Sequence, residues 1–138
     1  MASILRVDTL TDASSNNSTA MSVINQGTIK YWINFTSVSS TSARDSTNHA
    51  SLTDNGTGDT TLNFSSSFSN NDYCFSGNAQ RNDDTEDAEM TLYQDEDGSL
   101  ATGSMRVITK KSSVTDQIDV LGAFASATGD LACPKQQN

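Results

Sequence analysis

Residues 29–35 read Ile29-Lys30-Tyr31-Trp32-Ile33-Asn34-Phe35. Apolar side chains at 29, 31, 33 and 35 alternate with Lys30, Trp32 and Asn34. This is the period of two that lays one face of a strand on a core and turns the other outward. No window of the chain shows a convincing helical period. Both faces of this strand carry an aromatic, so the Trp32 side is expected to meet a second surface.

The same signal recurs on the C-terminal side. Leu52 precedes Asp54-Asn55-Gly56-Thr57-Gly58-Asp59, and Leu62 and Phe64 alternate after it. Asn-Gly between two strand patterns predicts a hairpin, because both residues accept positive φ. Tyr73 and Phe75 mark a further strand. Met90 with Leu92, Met105 with Val107 and Ile108, and Ile118 with Val120 running to Phe124 mark three more. The spacing of roughly 10–15 residues between turn signals predicts an all-β fold, an antiparallel β-sandwich or jelly-roll-like domain with an extended N-terminal arm. The division is a docking arm over 1–28, the β-sandwich domain over 29–132 and a tail over 133–138. Ser37 to Ser42 reads as a linker, and Thr11 to Thr19 as a loop.

The chain has 138 residues, of which 21 are serine, 17 threonine and 12 asparagine, and only 34% are hydrophobic. That composition excludes a membrane span, a coiled coil and a collagen-like rod. Few large apolar residues are left for a core, so burial of further apolar surface between subunits is expected, with a cyclic trimer closing the strand edges. The net charge of -9 repels phosphate backbones, and the only adjacent basic pair is Lys110-Lys111, so no nucleic-acid partner is expected. The first eight residues hold no apolar run of the roughly seven residues that an export signal needs, which predicts a chain used in the cytosol or released by lysis.

Chemistry-bearing patterns are sparse. Residues 83–97 gather Asp83, Asp84, Glu86, Asp87, Glu89, Asp95, Glu96 and Asp97 with no basic residue among them. Hard cations favour such clusters, but Asp95-Glu96-Asp97-Gly98 matches only a fragment of a calcium loop, and a solvated hairpin is the expected reading. Asp54 and Asp59 around the glycines are read the same way. Cys74 and Cys133 have neither CxxC spacing nor histidine partners, so no zinc site is expected. The single histidine, His49, lies in Thr47-Asn48-His49-Ala50 without a nucleophile motif, and is expected at the surface. No cofactor, metal site or catalytic residue is expected, and the chain is read as not an enzyme.

Several stretches resemble a known family. The opening Met1-Ala-Ser-Ile-Leu-Arg-Val-Asp-Thr-Leu-Thr-Asp12 is similar to the starts of small tail-fibre-like virion proteins of marine tailed bacteriophages. So are Asn25-Gln-Gly27, Tyr31 to Phe35, Ala43-Arg-Asp-Ser46, Ser51 to Asp59 with Leu62-Asn-Phe64 and Tyr73, Gly103 to Val107, and Gly129 to Ala132. The resemblance implies a virion structural protein, assembled in the host cytoplasm, with other virion proteins as partners and a homotrimer as its state. It implies an N-terminal arm docked to the particle through Ile4, Leu5, Val7 and Leu10, and a β domain facing outward for host attachment to a surface receptor. Trp32 joins these four as an expected assembly contact. Long fibres carry a shaft between anchor and tip, whereas here the arm runs almost directly into the domain, and residues 133–138 extend past the family pattern. The alternative is therefore a capsid decoration or knob protein of the phage head.

Overall fold

The computed structural model describes residues 7–14, 18–80, 88–92, 100–111 and 116–132. Its N-terminal part holds β1 (Thr9–Thr11) and β2 (Ser18–Ala20), paired antiparallel, then α1 (Met21–Gly27). The sandwich follows, with β3 (Ile29–Thr36), β4 (Ser42–Thr47), β5 (His49–Gly56), β6 (Asp59–Phe64), β7 (Cys74–Gln80), β8 (Ala88–Leu92), β9 (Leu100–Ala101), β10 (Ser104–Lys111) and β11 (Gly122–Thr128). Two antiparallel sheets result. One has the order β4-β3-β11-β7, the other β5-β6-β10-β8, with β9 pairing beside β8 on the same edge of β10. The all-β antiparallel sandwich read from the sequence is the fold.

The core lies between the sheets. Tyr31, Ile33 and Phe35 of β3 point inward, as their alternation requires, against Leu62 and Phe64 of β6 and Met105 and Val107 of β10. One end is an aromatic cluster: Phe68 stacks on Tyr73 at 4.2 Å between ring centroids, Phe64 meets both edge-on, and Tyr31 sits 4.7 Å from Phe64. Small residues on the central strand β11 make room for these rings, since Ala123, Ala125 and Ala127 are its inward positions. A core that the large apolar residues alone left thin is thus completed by alanines.

Four expectations are corrected. The polar segment Ser42–Thr47, whose first residue is read from the sequence as the end of a linker and in which no strand is expected, is strand β4. It is an exposed edge strand held by its ladder to β3, so it needs no apolar side chains. The last strand begins at Gly122, and Ile118 and Val120 precede it. The β5–β6 hairpin exists, but its two-residue turn is Thr57-Gly58; Gly56 still pairs with Asp59, and the register shifts beside Asn55. Gly58 occupies the turn with φ +66°, and a Cβ there would lie 2.7 Å from the Ile118 backbone nitrogen, so only glycine fits. Finally, α1 is a seven-residue helix in a region read without one.

Asn48 is the single residue between β4 in one sheet and β5 in the other, at φ 59°. The chain turns the corner of the sandwich there. The Asn48 side-chain amide donates to the Ser66 carbonyl at 3.0 Å, and the Ser66 N–H donates to Asn48 Oδ1 at 2.7 Å. Asparagine is suited to this position because it tolerates left-handed backbone and satisfies neighbouring main-chain groups.

Candidate functional site

The sheet register assigns the outward face of β4-β3-β11-β7. Cross-strand partners line up as one row of Asp45, Asn34, Phe124 and Asn78, and a second row of Thr47, Trp32, Ser126 and Ser76. Trp32 and Phe124 therefore sit on adjacent strands in adjacent rows, diagonal neighbours within reach of one flat ligand. They remain 36% and 41% exposed. Around them is a groove of about 460 Å³, lined by the side chains of Trp32, Asn34, Ser76, Asn78, Phe124 and Ser126 over a floor of Ile33, Gly77 and Ala125. This volume is within the ~300–1,000 Å³ of small-ligand sites. None of the lining side chains is ionisable.

Asn34 is the notable member. Among the described residues its Oδ1 is buried and has no hydrogen-bond partner. A buried acceptor left unpaired costs about 1–3 kcal/mol. Among the described residues, the side chains of Ser76, Asn78 and Ser126 also make no hydrogen bond to the protein.

The outward face of the other sheet is built differently. There, the Asn63 amide donates to the Ser51 carbonyl and the Thr53 hydroxyl, and the Asn55 amide donates to Thr61 Oγ1 and Asp59 Oδ1. Asp59 is buried and takes a two-point contact from Arg106, with Nε 2.8 Å from Oδ1 and Nη2 2.6 Å from Oδ2. Burial pushes the Asp59 carboxyl up, but the Arg106 and Asn55 hydrogen bonds outweigh it and hold it below the usual carboxylate range. Asp54 is also engaged, accepting from Gly56 N–H and the Thr41 hydroxyl. These carboxylates act as turn and ladder fixings.

The other residues singled out in the sequence fall as follows. Ile4, Leu5 and Cys133 lie outside the described residues, as does most of 83–97. Val7 and Leu10 are exposed on the arm. Glu89 pairs with Lys110 at 3.2 Å on the surface. Among the described residues, no group of three or more His, Cys, Asp or Glu could hold a metal, and no helix is long and apolar enough to cross a membrane. Cys74 is exposed with a free thiol. His49 is half-buried rather than at the surface, because it opens β5 with Nδ1 3.5 Å from the Tyr31 hydroxyl; desolvation lowers its pKa.

Of the groove, the sequence reading singled out only Trp32. Phe124 had a legible signal, since an aromatic between Ala123 and Ala125 faces out when the alanines face in. Asn34, Ser76, Asn78 and Ser126 had none, because their meeting depends on pairing between strands far apart in the chain. No protein-family model matches the chain, and neither a curated protein nor a solved structure matches it.

Proposed function

We propose that this chain is a non-catalytic structural protein of a phage virion, tail-fibre-like, which docks through its N-terminal arm and presents the sandwich outward for host attachment. One observation carries the docking role. Among the described residues, the arm leaves apolar side chains largely in the open: Leu10 is 46% and Val23 58% exposed, and α1 buries no residue fully. A hairpin of two three-residue strands and a seven-residue helix are each too short to stand alone in water. An external surface, either two further copies or a neighbouring virion protein, is what stabilises such an element.

Light scattering on the full chain tests the assembly part. The expected mass is three times 14.7 kDa, and Leu10→Asp with Val23→Asp should reduce it to one chain while the sandwich keeps its melting temperature. A wild-type monomer would refute the trimer. Antibody labelling of intact virions tests the location: label at the tail is expected, and label spread over the head would replace this reading with the decoration protein.

A further inference from the structure

The geometry points to the groove on the outer face of β3, β11 and β7 as a binding site for an uncharged oligosaccharide, held between Trp32 and Phe124. This deepens the attachment role proposed above by naming the ligand class.

Three features of the groove select that class. A sugar ring offers a face of C–H groups and a rim of hydroxyls that both donate and accept. Trp32 and Phe124 supply two exposed aromatic faces for the first. Asn34, Asn78, Ser76 and Ser126 supply amides and hydroxyls for the second, which likewise both donate and accept. Asn34 itself lines the groove, and among the described residues its Oδ1 has no hydrogen-bond partner. The third feature is charge. The lining has no ionisable group, Asp45 next to Asn34 in the register is offset by Lys30 two residues from Trp32 on the same face, and the whole chain carries -9. An anionic polysaccharide would approach a chain of net negative charge and find no cation among the lining side chains, and a cationic ligand would find no carboxylate among them. A neutral glycan meets neither difficulty.

Trp32 is the only tryptophan of the chain, so its emission reports directly on the groove. The full chain would be titrated with chitohexaose, cellohexaose, maltohexaose and mannohexaose, then with an array of neutral glycans, and with heparin and polygalacturonate as anionic probes. A saturable emission change is expected with at least one neutral glycan, at micromolar to millimolar affinity, and none with the anionic probes. Phe124→Ala and Asn34→Val should each weaken that binding about tenfold or more. Asn34→Val should do so without lowering the melting temperature, because it removes an unpaired buried oxygen and puts a β-branched residue in a strand.

Absence of saturable binding across the neutral array would overturn the proposal, as would binding unaffected by both substitutions. Saturable binding of either anionic probe would overturn the neutral assignment. If light scattering finds that Phe124→Ala dissociates the wild-type oligomer, the groove is a contact between copies and the proposal also fails. The two readings fail separately: a monomer that binds sugar sinks the trimer alone, and a trimer that binds none sinks only the glycan site.

Discussion

The corner at Asn48 allows a quantitative test of how the two sheets are joined. Replacing Asn48 with alanine removes both side-chain hydrogen bonds to Ser66 and leaves a residue with a Cβ, but no compensating amide, at φ 59°. Ser66 is exposed, so water takes over part of each lost bond, and together the two are worth about 1–2 kcal/mol. Holding alanine in the left-handed region adds about 1 kcal/mol relative to asparagine. The sum is a loss of about 2–3 kcal/mol, which for a chain of this size lowers the melting temperature by roughly 8–12 °C. Asn48→Gly separates the two contributions, since glycine adopts positive φ freely but cannot hold Ser66. Its loss should be about 1–2 kcal/mol, placing it between alanine and the wild type. Urea unfolding followed by the far-ultraviolet β signal, with thermal scans in parallel, gives all three stabilities. Equal stability of the alanine and glycine variants would show that backbone conformation plays no part. An alanine variant within about 0.5 kcal/mol of wild type would refute the corner as a structural joint, because such small effects are those of ordinary surface substitutions.

Three further outcomes are expected. Gly58→Ala places a Cβ against main-chain atoms of Thr109 and Ile118 at a positive φ, so it should lose about 3 kcal/mol or more, measured by urea unfolding; a near-neutral result would mean that the β5–β6 turn is free to shift. Asp59 has a depressed folded pKa, so its stabilising contribution is full above the unfolded carboxylate range and disappears as pH falls through the folded value, below about pH 4. In Arg106→Met, carboxyl titration followed by nuclear magnetic resonance should show Asp59 protonating at higher pH than in the wild type, and an unmoved midpoint would remove Arg106 as the cause. Tyr73→Phe leaves the Ala101 and Ser104 carbonyls, 3.0 and 2.9 Å from the hydroxyl, without their shared donor, and should cost about 1 kcal/mol in the same unfolding assay.

What the sequence made legible follows the size of its side chains. β3 was readable because large residues alternate with polar ones, and the β5–β6 hairpin because glycines sit between two alternating runs. β4 escaped because an exposed edge strand is specified by the partner it pairs with, and Ser42-Ala43-Arg44-Asp45-Ser46-Thr47 carries no hydrophobic period. β11 was placed too early for a related reason. Its inward residues are alanines, which fill the space left by Tyr31, Phe64 and the facing sheet, whereas Val120, wholly buried ahead of the strand, mimicked its first position. Trp32 was legible as the aromatic on the strand's second face, read there as an assembly contact. The groove around it was not, since three strands distant in sequence must pair in one register before Asn34, Phe124 and Asn78 share a row.

The abundance of serine, threonine and asparagine therefore has two physical meanings in one molecule, and composition cannot separate them. On the outer face of β5 and β6 these residues satisfy one another: Asn63 bridges to Ser51 and Thr53, and Asn55 to Thr61 and Asp59, so the polar surface is closed upon itself. On the outer face of β3, β11 and β7 the same residue types stand beside two exposed aromatics, with one amide oxygen buried and unpaired. A sheet face needs polar side chains only to stay in water, and the first face meets that need with its hydrogen bonds made internally. The second face retains a desolvated acceptor with no partner among the described residues. The difference between the faces lies in hydrogen-bond satisfaction, not in residue type, and on that ground the groove is assigned as the functional surface.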